Sequence, residues 1–168
     1  MPYVGSYIWK LRQSVGDMRI VSPTADVVCV NSKNEILMVH NTDFDLWTFP
    51  AGNVEEGLSW GESAAQEALE EGRLVIDPND LVPFATISGS GYIYQYKDGS
   101  VQPFTLAFAT NKFTERVDAA LDESEISETK WVTLEEAEKL PKALSACHIL
   151  PAYKNWLKTK EFQQITIK

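Results

Sequence analysis

The sequence predicts an α/β (α+β) domain, a central mixed β-sheet covered by helices, and three observations predict it. Short runs of β-branched and aromatic residues recur between turn-forming residues, two segments open with capping-box patterns, and strand-like and helix-like stretches are interleaved along the chain. With 168 residues and 44% hydrophobic composition, the chain suits one core of ordinary size, so a single domain over 1–168 is expected. It would carry an N-terminal arm at 1–20 and a helical segment at 142–168.

The arm holds Tyr7, Ile8, Trp9, Lys10, Leu11 and Arg12, a pattern for a short helix over Tyr7 to Val15 that packs on the domain or on a second subunit. Ala25 to Val30 is an apolar run interrupted by Asp26. After the turn-like Asn31-Ser32-Lys33-Asn34 comes Ile36 to Val39, and the pair reads as a β-hairpin with both strands buried. Asn41 to Gly52 reads as a loop because of Pro50 and Gly52. Ser59 followed by Glu62 is a capping box for a helix to Glu71, with Gly72 suited to close its far end.

Further on, Phe84 to Ser88, Tyr92 to Tyr96 and Val101 to Thr110 read as strands. Lys97-Asp98-Gly99-Ser100 turns the last two into an antiparallel hairpin. Thr133 and Glu136 form a second capping box for a helix limited by Pro141, and Ala152 to Lys160 reads as a last helix after Pro151.

Composition excludes several classes of function. A net charge of −9 opposes binding to long nucleic acids, which draws on clustered Lys and Arg. Neither a bilayer-spanning apolar run nor a secretion signal stands in the sequence, so no membrane partner and a cytoplasmic location are expected. Cys29 and Cys147 lie far apart without CxxC spacing, which argues against a disulfide framework or a zinc site. Small phosphorylated molecules remain compatible with the acidity, since a divalent cation can supply the missing positive charge.

Glu67, Glu70 and Glu71 stand at i, i+3 and i+4, so one side of the second predicted helix gathers their carboxylates, while Ala65, Ala68 and Leu69 face the sheet. An ordinary solvated acidic face has this pattern too. Crowded hard oxygen ligands also suit Mg2+ or Mn2+.

The surrounding segment favours the metal. Trp47-Thr48-Phe49-Pro50-Ala51-Gly52-Asn53-Val54-Glu55-Glu56-Gly57 precedes Gln66-Glu67-Ala68-Leu69-Glu70-Glu71, and the whole resembles the Nudix hydrolase family. The family pattern aligns without a gap from Gly52 to Leu74. It departs at Leu58, where the family has glutamate, at Gln66, where it has arginine, and at Arg73, where it has glycine. An alternative placing Glu62 at the first glutamate requires an insertion and leaves too little helix before Glu67; the gapless one leaves Glu62 a capping task.

The resemblance implies an α/β/α sandwich and a metal-dependent pyrophosphohydrolase. The substrate would be a nucleoside diphosphate linked to another group: a sugar nucleotide, an ADP-ribose-like molecule or a nucleoside triphosphate. It implies Glu67, Glu70 and Glu71 as catalytic metal ligands, joined by the Ala51 carbonyl, with Glu55 accessory. Gln66 would at best donate a neutral hydrogen bond to Glu67 where the family's arginine steadies it, and Gly72 would replace the lost glycine one residue early. The general base would come from Glu123, Glu125 or Glu128, with Glu125 carried forward. A module that binds nucleotides with little turnover is the alternative, given Leu58 and Gln66.

Among other residues, His40 is a candidate for a phosphate contact, and Tyr94 and Phe104, with Tyr92 and Tyr96, are candidates for stacking a base. Aromatics at period two in a hairpin also serve as packing. Trp47 and Phe49 are expected to be structural, and a homodimer is compatible with the pattern.

Overall fold

The computed structural model describes residues 4–116, 118 and 125–168. Helix α1 (Tyr7–Val15) opens the chain and is N-capped by Ser6, whose Oγ accepts from Trp9 N. Strands β1 (Ile20–Cys29), β2 (Ile36–Asn41), β3 (Leu46–Thr48) and β4 (Ala51–Asn53) follow, then helix α2 (Trp60–Gly72). Next come β5 (Leu74–Val75), β6 (Val82–Ser88), β7 (Tyr94–Tyr96), β8 (Gly99–Thr110), β9 (Thr114–Glu115) and β10 (Ile126–Val132). Helices α3 (Leu134–Lys139) and α4 (Leu144–Thr159) and strand β11 (Gln163–Thr166) complete the chain.

Among the described residues the main sheet runs β11-β6-β8-β1-β4, with β7 on the end of β8. It is mixed: β1 runs parallel to β8 and β11 to β6, whereas β6, β7 and β4 pair antiparallel. A second sheet, β10-β2-β3, carries the rest of the core, and β5 pairs β9. Alternation along β1 divides its side chains between two cores. Ala25, Val27 and Cys29 pack with Ala64 and Ala68 of α2, whereas Val28 packs with Ala146, Ile149 and Leu150 of α4. Helices thus cover opposite faces of β1, the α/β/α layering that the sequence implies.

Several expectations are corrected. The segments around 25–30 and 36–39 do not form a hairpin: β1 gives its two edges to β4 and β8, so β2 joins a different sheet and keeps only the bridge Val30↔Ile36. The stretch 41–52 is not all loop, because β3 and the start of β4 lie within it. Tyr92 falls outside β7, in a turn where its N–H donates to the Gly89 carbonyl at 3.2 Å. Helix α4 begins well before Pro151 and holds that proline inside it, its lost N–H removing one helical bond without ending the helix. The C-terminal segment is not wholly helical, since it ends as β11 alongside β6.

Both capping boxes form as expected, at Ser59–Glu62 and Thr133–Glu136. Helix α2 does not close on Gly72. Arg73 takes the left-handed cap with φ 57°, and its N–H donates to the Ala68 and Leu69 carbonyls. Gly72 is instead a packing residue, since a Cβ there would stand 2.7 Å from Leu37 Cδ2. No helix among the described residues is long and apolar enough to cross a membrane.

Helix α1 packs on its own chain. Arg12, 7% exposed, donates through Nη1 to the Gly16 and Met18 carbonyls and through Nη2 to Ser100 O at 2.8 Å, with Nε 3.7 Å from Asp98. Arg12→Ala removes all these bonds and leaves the half-buried carbonyls short of donors. It is expected to destabilise the protein by ~2–4 kcal/mol, read as a lower urea midpoint with an unchanged m-value.

Candidate active site

The candidate site is a cavity of about 830 Å3 at the edge of the main sheet, walled by β1, β4, α2, the β7–β8 hairpin and the start of α1. Strand β4 brings the backbone to it. The bonds Val27 N–H to Pro50 O and Val54 N–H to Pro23 O bracket the β1–β4 ladder, so the Asp26–Ala51 pair falls at a position that exchanges no backbone bonds. Ala51 therefore directs its N–H and carbonyl away from β1, and the N–H donates to Glu71 Oε2 at 2.9 Å.

Glu71 is 4% exposed. Burial raises its pKa well above the ordinary carboxylate value, the charge of Glu67 raises it further, and the Ala51 N–H works in the opposite direction. Glu67 is pushed up to about 8, first by burial and then by the charges of Glu70, Glu125, Asp26 and Glu55. Gly52 makes room for it: a Cβ there would overlap the carboxylate, 2.9 Å from Oε2 and closer to Oε1. Glu70 is exposed and accepts from Gln66 Nε2 at 2.8 Å. Gln66 therefore bonds Glu70, one helical turn on, and not Glu67 as the resemblance implies.

Glu55 also lines the cavity, where its carboxylate accepts from Tyr7 N at 2.9 Å and so ties the first turn of α1 to the loop after β4. Glu125 stands in the wall, and its charge raises both Glu67 and Glu71. Glu128 does not join them: it lies on β10 opposite His40, exposed, with Oε1 2.8 Å from Lys130 Nζ. Glu123 lies outside the described residues. Glu62 accepts from Ser59 N at 2.8 Å in the capping box, the task the gapless alignment assigns it.

Of the residues expected to meet substrate, Tyr94 lines the cavity together with Tyr92 and Tyr96, whereas His40 and Phe104 do not. His40 Nδ1 pairs with Ser127 Oγ at 2.8 Å, its Nε2 stands 3.4 Å from Asp45, and its ring packs edge-on against Trp47. Phe104 is 46% exposed, because alternation along β8 turns it away from the face that carries Pro103 and Thr105. Trp47 and Phe49 are buried in the core, as expected of structural residues.

Sequence reasoning missed two further wall residues. Asp26, 2% exposed, lies on the α4 side of β1; burial pushes its pKa up to about 7 against an opposing hydrogen bond with Ser145, and its Oδ2 has no partner among the described residues. The signal was an acid inside an apolar strand. Phe44, in the β2–β3 connection, packs against Tyr94 and Tyr96 with ring centroids 5.3 and 5.2 Å apart. Arg12 is the one basic side chain in the wall among the described residues, and its Nη donors are spent on backbone carbonyls.

The donor set fits a divalent cation by its chemistry: hard carboxylate oxygens, an outward-facing backbone carbonyl, and buried negative charge without a cationic partner. Among the described residues no three acidic, His or Cys side chains stand close enough together to enclose an ion as they are. Glu70 would have to leave Gln66 to take part.

These elements make an α/β/α sandwich with a loop-and-helix cluster of carboxylates at one edge of the main sheet. The NUDIX domain model matches residues 21–153, and the chain belongs to that family. A putative 8-oxo-dGTP diphosphatase of Bacillus subtilis is 43% identical over 47 residues, a match that takes in 28% of this chain and 32% of that relative. A MutT protein of Bacillus halodurans superposes with TM-score 0.63 at 15% identity, covering 88% of this chain and 90% of that one. The NUDIX domain of Shewanella oneidensis NrtR, solved with ADP ribose, gives TM-score 0.62 at 15% identity, covering 89% and 98%. These structural likenesses carry the fold.

Proposed function

We propose that the protein is a cytoplasmic, Mg2+- or Mn2+-dependent pyrophosphohydrolase that cleaves the diphosphate of a nucleoside diphosphate linked to another group. The observation that carries this reading is the pair of carboxylates, buried Glu71 and half-buried Glu67, held against Ala51 and Gly52 in a cavity where neither meets a cationic side chain among the described residues. Glu67, Glu70, Glu71 and the Ala51 carbonyl would hold the metal, which when bound neutralises phosphate charge and lowers the pKa of water. Ala51 N–H fixes the rotamer of Glu71 and Gly52 lets Glu67 lie against the backbone, while Glu125, which lines the wall, would take a proton from the attacking water. The ADP ribose of the NrtR domain and the diphosphatase name of the Bacillus subtilis relative support a nucleotide-type substrate.

Purified protein with magnesium or manganese, assayed against a panel of sugar nucleotides, dinucleotides and nucleoside triphosphates, tests the reading. Metal-dependent release of nucleoside monophosphate or pyrophosphate is expected, and a panel left uncleaved at high enzyme concentration sinks it. The second reading, a nucleotide-binding module with little turnover, is favoured by one observation: Gln66 holds Glu70 and leaves Glu67 without a side-chain donor among the described residues. It predicts binding of the same compounds without release of product.

Gly52→Ala gives a sharper probe. The added methyl displaces the Glu67 carboxylate while leaving its chemistry intact. Metal affinity and kcat/KM are expected to fall by about 10- to 100-fold with the fold retained, checked by manganese titration and circular dichroism.

A further inference from the structure

The cavity wall is not uniform. Away from the glutamates, Phe44, Tyr94 and Tyr96 form a contiguous aromatic surface, with ring centroids 5.2–6.4 Å apart. Next to it the α4 side of β1 presents Asp26, on the same face as Val28. Tyr94 Oη accepts from Ser145 N at 2.8 Å, so the start of α4 locks that ring in place, while Ser145 also hydrogen-bonds Asp26.

Asp26 is unusual because its second oxygen is orphaned. Oδ2 is buried and accepts no hydrogen bond from the described residues, and leaving a buried acceptor unsatisfied is costly. Tyr92 offers no relief, its Oη being paired with Thr105 Oγ1 at 2.9 Å. Nor does the surrounding wall contain a lysine among the described residues. Above its pKa of about 7, where Asp26 is ionised and only accepts, the chemistry that satisfies this oxygen is an N–H donor on a flat group able to lie against aromatic rings. A further phosphate or carboxylate would be repelled there.

We propose that Asp26, with the aromatic wall of Phe44, Tyr94 and Tyr96, forms a specificity subsite for an amino-bearing heterocycle. This rests on the reading that a nucleotide-type substrate enters the cavity, and it names the feature of the base that is selected. Heterocycles with an exocyclic amine bind through Asp26; those with a carbonyl or a bare carbon at that edge leave Oδ2 unpaired and are rejected. The aromatic wall adds affinity without discrimination, because every base has a π-face.

Nucleosides test this without any phosphoanhydride, so the outcome is independent of hydrolysis. Matched pairs that differ at one edge are titrated against the full chain by ligand-observed NMR at a pH above about 8, where Asp26 is ionised: guanosine with inosine, adenosine with purine riboside, cytidine with uridine. In the wild-type protein the amino member of each pair is expected to bind about tenfold more tightly. Asp26→Asn is expected to level the pairs, whereas Phe44→Ala weakens all members alike. Equal binding within the wild-type pairs, an unchanged preference in Asp26→Asn, or no binding of any nucleoside overturns the proposal. So does an Asp26→Asn variant that keeps the preference and instead loses manganese affinity. Since the first comparison needs no variant, misfolding of a mutant does not protect the idea. Failed hydrolysis with an amino preference that depends on Asp26 would remove the enzymatic reading and leave this one standing.

Discussion

Glu67→Gln and Glu71→Gln are each expected to lower kcat/KM for phosphoanhydride cleavage by about a thousandfold, which corresponds to ~4 kcal/mol of transition-state stabilisation. Both substitutions keep shape and remove charge. At position 71 the amide oxygen can still accept from Ala51 N, and at position 67 the side chain still fits against Gly52. What is lost is the negative oxygen that a divalent cation requires. Stability should move the other way. Glu71 is buried and Glu67 half-buried beside other acids, with no cationic partner among the described residues, so an amide in place of either removes the cost of carrying a charge or taking up a proton on folding, and the melting temperature without metal should rise by several degrees. Steady-state kinetics and metal-free thermal melts on the same preparations give both readouts. Variants that are unstable but fully active would show that these glutamates are structural, and full activity in either variant would remove it from the metal site.

Much of this site was legible because its physics is local. The spacing of Glu67, Glu70 and Glu71 puts them on one side of a helix whatever lies around it, and Ser59 with Glu62 sets where that helix begins. Ala51 and Gly52 were legible through the gapless pattern; their contacts with Glu71 and Glu67 supply the physical reason for that spacing. Features that depend on strand partners stayed hidden. A hairpin between β1 and β2 satisfies their hydrophobic runs equally well, and it is ruled out by the β4 pairing on one edge of β1 and, on the other, by the parallel ladder between Ile20–Cys29 and Val101–Thr110, distant in sequence. The same ladder decides that Phe104 faces away from the cavity. Pro151 misled because proline usually marks a helix start, whereas packing of Ile149, Leu150 and Tyr153 outweighs the bond it removes. Asp26 was visible as an acid in an apolar run, but its meaning depended on Ser145 and Tyr94, which lie more than sixty residues away.

The largest effect of solution conditions should be a loss of metal-free stability as pH rises through the range 5 to 8, reversed by manganese or magnesium. Glu67 has a folded-state pKa of about 8 and Asp26 of about 7, against ordinary values of 4.5 and 3.8. Between those limits the unfolded chain has released these protons and the folded protein still holds them, so the native state binds more protons and stability falls with increasing pH. Below the ordinary carboxylate values both states are protonated and the effect vanishes; above about 8 both are ionised and the penalty is complete. Its size is on the order of a few kcal/mol for each group, because each tenfold gain in proton affinity on folding is worth about 1.4 kcal/mol. A divalent cation bound to the ionised carboxylates replaces the protons, so the melting temperature with metal should be nearly flat over the same range, and metal affinity should climb towards pH 8. Parallel melts at several pH values, with chelator and with manganese, measure the difference directly. A metal-free profile that rises with pH would mean that these carboxylates already have cationic partners in solution, and the charge argument for the metal site would fail with it.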